Sequence, residues 1–200
     1  MKTEELKRRL LNGCKEVKAT EDELTLIDSH FGDADHGLTM KKIADAIEEA
    51  INKSPDEVKA LFDAVAERVG LLNGGSAVPL WNSWLQGIAD VAPEKDEASL
   101  EELKTMFAGG MEEFDFMSGA KVGDKTIMDA LKPASDAIEA AEDEKSLFAE
   151  AAEAAMKGAQ DTKNYTARYG RAKSYGEKTL GTADAGALSM ALFFKGLAEE

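Results

Sequence analysis

The segment Leu38-Thr-Met-Lys-Lys-Ile-Ala-Asp-Ala-Ile-Glu-Glu-Ala-Ile51 shows the pattern that decides the fold. Its apolar residues recur at the spacing of one face of an amphipathic α-helix. The same spacing returns further on, in Val58, Leu61, Phe62, Val65, Val69 and Leu72. No segment alternates with a period of two, and only 4 prolines interrupt the 200 residues. The sequence therefore predicts an all-α protein in which strands are absent or minor.

Helix starts are marked by residues that cap helices. Thr20, Ser54 and Ser99 each stand three residues before a glutamate, which is the spacing of a capping box. Pro55 and Asp124 are a typical first helical residue and a typical N-cap. The predicted helices are 3–18, 20–30, 38–53, 55–71, 76–92, 99–116, 124–142, 145–161 and 185–198. Pro133 is expected to kink or break the seventh. Short connections predict that neighbouring helices run antiparallel.

Composition limits the class of protein. A chain of 200 residues predicts one domain over 1–200, with room for a sizeable core. The net charge of −15 argues against a nucleic-acid partner and against an anionic membrane surface. The single cysteine, Cys14, excludes an intrachain disulfide and is expected to be a small buried apolar group. With no signal peptide at the N-terminus and no run of transmembrane length, the prediction is a cytoplasmic protein.

Directly before the first segment runs Asp28-Ser-His-Phe-Gly-Asp33-Ala-Asp35-His36-Gly37. Asp28 ends an apolar-periodic run and is expected to close a helix, and Gly32 is expected to free the next turn by taking a positive φ. Asp28, Asp33 and Asp35 can then converge on one Mg²⁺ ion or a pair, because carboxylate oxygens are the natural ligands of hard cations. The alternative is a solvated acidic loop.

The two histidines of the chain, His30 and His36, both lie in this acidic stretch. Neighbouring carboxylates should favour the imidazolium form of His36. Three roles are open for His36: metal ligand, phosphate contact, or donor to a neighbouring aspartate. His30 is interpreted as an ordinary helix residue.

Four stretches combine glycine with polar residues, at 28–37, 73–77, 119–126 and 163–186. Alternate loops of an up-and-down bundle lie at one end, where helix N-termini can bind a nucleotide or phosphate. Each stretch has a plainer interpretation. Gly74-Gly75 can be a simple turn, and 119–126 fails the spacing of a P-loop and follows no strand. The last stretch either faces phosphates or balances local charge with Lys163, Arg168, Arg171, Lys173 and Lys178.

These motifs together resemble the nucleotide-binding L subunit of dihydroxyacetone kinases. Leu24 to Asp28 followed by Gly32 to Met40 carries the most specific part of the resemblance. Three further segments match in the same order: Gly74-Gly75 with Pro79-Leu80, Gly123 to Leu131 with Pro133-Ala134, and Gly170 to Glu177 with Gly181 and Asp184 to Ala187. The resemblance spans essentially the whole chain.

The resemblance implies an antiparallel barrel of about eight helices with the nucleotide site at one end. It implies that Asp28, Asp33 and Asp35 hold two Mg²⁺ ions between the phosphates of ADP or ATP. It assigns catalytic roles to Arg171 and His36. The nucleotide site would also include Gly37, Leu38, Thr39, Gly75, Ser76, Ala77, Gly119, Thr126, Met128, Asp184, Ala185 and Gly186.

The resemblance also implies a division of labour. A separate K subunit would hold dihydroxyacetone or a related short ketose, and a phosphohistidine on an M subunit would recharge bound ADP to ATP. Because this chain has no room for a K-like domain, the expectation is a multi-subunit kinase. The alternatives are a catalytically silent or regulatory partner, and the nucleotide module of another kinase, such as a fatty acid kinase. The oligomeric state is open, with a homodimer as one option.

The sequence departs from the family pattern at two places. The family turn Gly-Gly-Ala-Ser-Gly-Pro-Leu is Gly74-Gly-Ser-Ala-Val-Pro-Leu80 here, so valine replaces a glycine at position 78. Valine does not easily adopt a positive φ, so this turn is expected to differ or move. The family pattern His-x-Asp-Pro-Gly-Ala is Thr182-Ala-Asp-Ala-Gly-Ala187 here. These changes suggest a divergent subfamily, for another short ketose or ketotetrose.

Overall fold

The computed structural model describes residues 1–199, and helices dominate them. In this range lie nine α-helices: α1 (Thr3–Ala19), α2 (Glu21–Ser29), α3 (His36–Ile51), α4 (Val58–Gly70), α5 (Ala77–Asp90), α6 (Leu100–Ser118), α7 (Met128–Ala140), α8 (Leu147–Asp161) and α9 (Ala185–Ala198). Two 3₁₀ segments, Thr162–Asn164 and Arg171–Thr179, precede α9. The β pairing in residues 1–199 is one isolated bridge between Lys2 and Glu97. The predicted all-α class is confirmed.

Eight of the helices form a closed ring. Going round it, α1 packs on α3, α3 on α4, and each later helix on the next, until α9 returns to α1. The short α2 packs against α3 and α9 and is not one of the eight helices of the ring. The ring is the barrel of eight helices that the family resemblance implied, and α2 accounts for the ninth helix.

The inside of the ring is filled by apolar side chains that form one continuous cluster. Trp81 and Trp84 are 0% and 1% exposed, and their rings meet edge to face with centroids 5.7 Å apart. Both rings also pack edge to face against Phe193 of α9. Cys14 of α1 is fully buried, which confirms the prediction of a small apolar group, and burial raises the pKa of its thiol.

The helix starts at Glu21 and Leu100 lie where the sequence placed them, but only one capping box forms. Ser99 accepts from the Glu102 amide, while the Glu102 carboxylate accepts from the Ser99 amide at 2.8 Å. The box predicted at Thr20 is wrong, because its hydroxyl donates backwards to the Glu16 and Val17 carbonyls.

The start predicted for α4 at residue 55 is wrong, since the helix begins at Val58 and Glu57 before it is extended. Contacts from distant segments displace the capping box. The amides of Val58 and Lys59 donate to the carbonyls of Lys95 and Pro93, at 2.8 and 3.2 Å. The Ser54 hydroxyl instead donates to the Ile51 carbonyl.

The start predicted for α7 at Asp124 is also wrong, since the helix begins at Met128. The carboxylate of Asp124 accepts from the Lys121 amide and closes a turn in the preceding loop. The predicted break at Pro133 does not occur, because α7 continues through it to Ala140. Gly158 of α8 lies against the Asp129 carbonyl, where a β-carbon would be only 1.9 Å away. Here α8 covers the turn that lacks the proline amide.

The glycine-polar stretches all lie at one end of the ring. They connect α2 to α3, α4 to α5, α6 to α7, and α8 to α9. Val78 is buried and lies within α5, and the turn before this helix ends at Ser76. Valine therefore does not need to adopt a positive φ here. That this turn differs from the turn of the family stays a prediction. Within residues 1–199, no helix combines the length and apolar character needed to cross a membrane.

Candidate functional site

A cleft of about 680 Å³ opens between these loops. Its walls come from the α2–α3 loop, the start of α5, the end of α6 with the loop after it, residues 169–172, and the start of α9. The sequence predicted that the glycine-polar loops would meet at one end, and this juxtaposition is confirmed.

Three carboxylates meet on one side of the cleft. Asp28, Asp33 and Asp35 each offer an oxygen, and these oxygens lie within 4.8 Å of one another. Asp28 is in the last turn of α2, and Asp35 is the residue before α3. Burial and the charges of Asp33 and Asp28 raise the pKa of Asp35. Three oxygen donors at this spacing, in a loop that opens to the cleft, suit a hard divalent cation.

The loop is held in place by Asp28. Its Oδ2 accepts from the amides of Asp35 and His36, at 3.1 and 3.4 Å, and so satisfies two free N–H groups at the start of α3. Gly32 lies close by, and a β-carbon there would be 2.0 Å from Asp28 Oδ1. Glycine is required at 32 by this close approach.

The positive φ predicted for Gly32 is found at Ala34 instead, with φ of 60°. Ala34 lies between Asp33 and Asp35, and its left-handed backbone turns the chain between them. Such a conformation is strained for a residue with a β-carbon, and strain of this kind concentrates at functional sites.

Arg171 faces the acidic cluster from the opposite wall. Its Nη2 lies 2.7 Å from Asp33 Oδ2, and the arginine side chain is 69% exposed. The other basic residues of 163–186 do not share this place. Arg168, for example, pairs with Asp124 at 3.5 Å, outside the cleft lining. The structure therefore singles out Arg171 from the predicted basic group.

His36 is oriented by α9. Its Nε2 lies 3.0 Å from Ser189 Oγ, and that hydroxyl donates to the Gly186 carbonyl. The prediction of a favoured imidazolium is wrong, because burial lowers the pKa of His36 despite opposing effects of Asp28 and the Ala185 carbonyl.

Two further carboxylates order the floor of the cleft. Asp129 accepts from the amides of Gly123 and Thr126, at 2.6 and 2.7 Å, and so folds the α6–α7 loop. Asp184 caps α9 by accepting from the Ala187 amide at 2.8 Å. Burial raises the pKa of both, that of Asp184 to about 7.

Most of the candidate residues named from the sequence line this cleft. They are Asp28, Asp33, Asp35, His36, Thr39, Gly75, Ser76, Ala77, Thr126, Arg171, Asp184, Ala185 and Gly186. Four do not line it: Gly37, Leu38, Gly119 and Met128. Gly37 packs on α2, where a β-carbon would be 2.1 Å from the Glu21 carbonyl oxygen, and Met128 is buried. Gly119 accepts from the Tyr169 hydroxyl beside the cleft.

Sequence reasoning missed two kinds of residue in the cleft. The first is its apolar wall, which includes Phe31, Leu80, Phe114 and Met117. Their spacing did not separate them from ordinary core positions. The second is Lys125, which is 4% exposed and has a φ of 62°. The sequence signal was the placement of Lys125 between Gly123-Asp124 and Thr126, but the failed P-loop spacing concealed it.

The ring of helices and its charged loops define an all-α barrel protein with an open cleft suited to metal and phosphate groups. The family model of the DAK2 domain matches residues 30–199. The chain therefore belongs to the DAK2 domain family.

Named relatives carry the same domain. The chain is 31% identical over 197 residues to the PEP-dependent dihydroxyacetone kinase, ADP-binding subunit DhaL, of Escherichia coli, which covers 94% of this chain and 92% of that subunit. It is 34% identical over 185 residues to L-erythrulose 1-kinase of Mycolicibacterium smegmatis, covering 90% of this chain and 32% of that kinase.

A solved structure has the same fold. The dihydroxyacetone kinase of C. freundii in complex with AMP-PNP and Mg²⁺ superposes with a TM-score of 0.74 and 27% identity, over 95% of this chain and 32% of that one. The chain thus spans about a third of the length of these two kinases and nearly all of the E. coli subunit.

Proposed function

We propose that the chain is the nucleotide-binding, phosphoryl-transfer subunit of a short-ketose kinase. It binds ADP or ATP with Mg²⁺ in the cleft, and the phosphate passes to dihydroxyacetone or a related ketose held on a separate K subunit. A phosphohistidine on an M subunit recharges the bound nucleotide. The observation that carries the proposal is the pairing of Arg171 with a cluster of three aspartates inside one cleft.

The candidate ligand atoms are all carboxylate oxygens, which are the ligands that Mg²⁺ prefers. Asp28, Asp33 and Asp35 would hold it, and we propose two ions. Bound there, Mg²⁺ neutralises charge on phosphate oxygens. The complex of the C. freundii kinase with AMP-PNP and Mg²⁺ supports this assignment.

Two groups of this chain are placed to bind phosphates directly. Arg171 offers a planar, bidentate donor fork, and its high exposure leaves it free to turn from Asp33 towards a nucleotide. The start of α5 lines the cleft with Gly75, Ser76 and Ala77, and no side chain caps it. In this first turn Pro79 has no N–H, and the amides of Val78 and Leu80 donate to the carbonyls of Gly75 and Ser76, so the Ala77 amide is the group suited to an anion.

The remaining candidates orient the site. His36, whose pKa is lowered by burial, is held by Ser189 and fits the role of a hydrogen-bonding group beside the phosphates. The apolar wall around Phe114 and Met117 offers a surface for the adenine ring. Thr39, Thr126, Asp184, Ala185 and Gly186 complete the lining that we assign to the nucleotide.

A turnover assay distinguishes two possibilities: a nucleotide-binding subunit that needs a partner, and a kinase that is complete by itself. Purified chain is mixed with ATP, Mg²⁺ and either dihydroxyacetone or erythrulose, with and without a K-type subunit. We expect phosphorylated ketose only when the K-type subunit is present, and ADP or ATP in the purified chain by mass spectrometry. Turnover by the chain alone would refute the split between subunits. Absence of nucleotide binding, together with no turnover in the mixture, would refute the kinase assignment.

A further inference from the structure

Lys125 is a buried lysine whose ammonium group has only backbone carbonyls as hydrogen-bond partners. Its Nζ lies 2.7 Å from the Thr162 oxygen, 2.8 Å from that of Thr179, 2.6 Å from that of Thr182 and 3.2 Å from that of Tyr165. The ammonium has three protons for these four acceptors. Four neutral carbonyl oxygens around one positive charge resemble the coordination that proteins give to a dehydrated K⁺ ion.

All four carbonyls belong to the connection between α8 and α9, which carries Arg171. Between residues 163 and 184, only Ala167 and Thr179 are buried. A segment with so little apolar burial depends on polar contacts for its order. Lys125, from the α6–α7 loop, joins the beginning of this connection at Thr162 to its end at Thr182.

Placing the Lys125 ammonium here costs free energy, which an apolar side chain that only packs against its neighbours would not require. Lys125 adopts a left-handed backbone conformation, which is strained for a residue with a β-carbon. Burial lowers the pKa of the ammonium, while the charges of Asp184 and Asp129 raise it. These costs are offset where the charge is fully hydrogen-bonded.

We propose that the Lys125 ammonium is a built-in substitute for a monovalent cation, and that it positions residues 162–182 so that Arg171 stays over the aspartate cluster. Lys125 is thus a positioning residue and contacts no reacting group. The structural part of this proposal concerns the loop alone, and its nucleotide part rests on the proposed function.

We call the four carbonyl groups of Thr162, Tyr165, Thr179 and Thr182 the carbonyl cage. The test replaces the lysine by a side chain that leaves this cage empty. In Lys125→Ala the β-carbon and its backbone cost remain, and the ammonium position is free for an ion. In Lys125→Met the stem of the side chain remains and blocks the ion. Lys173→Ala removes a charge from the exposed surface of the same connection and serves as the matched control.

Loop order is measured without nucleotide, by chymotrypsin cleavage after the exposed Tyr169 and Tyr175. We expect Lys125→Ala in LiCl to be cut roughly tenfold faster than wild type, as loss of a charged hydrogen-bond group implies. KCl or NH₄Cl at equal ionic strength should restore protection in Lys125→Ala but not in Lys125→Met. The cleavage rates of wild type and of Lys173→Ala should be the same in LiCl, KCl and NH₄Cl.

The proposal is overturned if Lys125→Ala is protected like wild type in LiCl, or if Li⁺ and K⁺ act equally. It is also overturned if Lys125→Ala stays unfolded by circular dichroism in both salts. Calorimetry with ADP and Mg²⁺ is a second measurement, in which Lys125→Ala should bind in KCl and lose affinity in LiCl. If wild type binds no ADP, the proposed function fails, while the cleavage result still decides the role of Lys125.

Discussion

Arg171 and Asp33 form an ion pair of 2.7 Å across the cleft, from segments 138 residues apart in the chain (171 − 33). The pair joins the basic 3₁₀ segment to the acidic loop between α2 and α3. Because the arginine is largely exposed, this contact adds little to folding, and such pairs contribute ~0–1 kcal/mol. The role that we propose for it is in binding.

Arg171→Ala should separate activity from stability. We expect phosphoryl transfer in the reconstituted kinase to fall roughly 10²–10³-fold, as when a single charge-stabilising donor is removed from an active site. The melting temperature should change little. Arg168→Ala is the matched control, since Arg168 is also exposed but pairs with Asp124 outside the cleft. Equal losses of activity in the two variants would show that Arg171 has no special role.

Ala185 occupies the first position of α9, where proline is well tolerated. The residue before it, Asp184, has extended backbone angles, which suit a following proline. Ala185→Pro should therefore stabilise the protein by roughly 0.4–1 kcal/mol. Urea unfolding measures this change.

Ala187→Pro is the control for that substitution. It lies in the same turn of α9, but its amide donates to Asp184 at 2.8 Å and its side chain is buried. Loss of this cap should destabilise the protein by about 1 kcal/mol or more. If both prolines destabilise the protein alike, the start of α9 is not where the structure places it.

Asp184 should make the stability of the metal-free, nucleotide-free protein depend on pH. Burial raises its pKa to about 7, above the ordinary value near 3.8. Between these values the folded state binds more protons than the unfolded state, so the free energy of unfolding falls as pH rises. The contribution is unfavourable above pH 7 and disappears below about pH 4.

Asp184→Asn keeps an oxygen that can cap α9 and removes the half-buried charge. At pH 8 the variant should be more stable than wild type, by roughly 1–3 kcal/mol, and the difference should shrink towards pH 4. Thermal melts at several pH values measure this difference. A difference that does not vary with pH would mean that Asp184 has an ordinary pKa.

The sequence predicted the helices well because their apolar faces carry the signal locally. Residues 38–51 and 58–72 needed no knowledge of distant contacts, and short connections predicted antiparallel neighbours. The closed ring itself was expected only from the family resemblance. The start of α4 was wrong for the opposite reason. The carbonyls of Pro93 and Lys95 satisfy its first amides, and they come from a loop more than thirty residues away (93 − 58 = 35).

The site was predictable where its functional residues lie close together in the sequence. Asp28, Asp33 and Asp35 lie within eight residues (28 to 35), so their convergence followed from spacing. Features that depend on tertiary structure were missed. Burial of His36 against Ser189, and the carbonyl cage of Lys125, join segments separated by 153 and by 37 to 57 residues.

The backbone of the acidic loop gives a similar lesson. Glycine was expected to supply the left-handed residue, and Ala34 supplies it instead. Composition indicates which residues adopt a positive φ easily, but the tertiary fold decides which residue must do so. Gly32 is needed for a different reason, the closeness of Asp28.

The most direct test of the central claim is calorimetric titration of ADP with Mg²⁺ into wild type, Asp33→Asn and Asp35→Asn. We predict saturable binding by wild type that needs Mg²⁺ and is strongly weakened in both variants, because each loses a carboxylate of the cluster. Their melting temperatures without ligand should be equal to wild type or higher, since carboxylates that repel one another cost stability. Binding of ADP and Mg²⁺ with wild-type affinity in both variants would contradict the account.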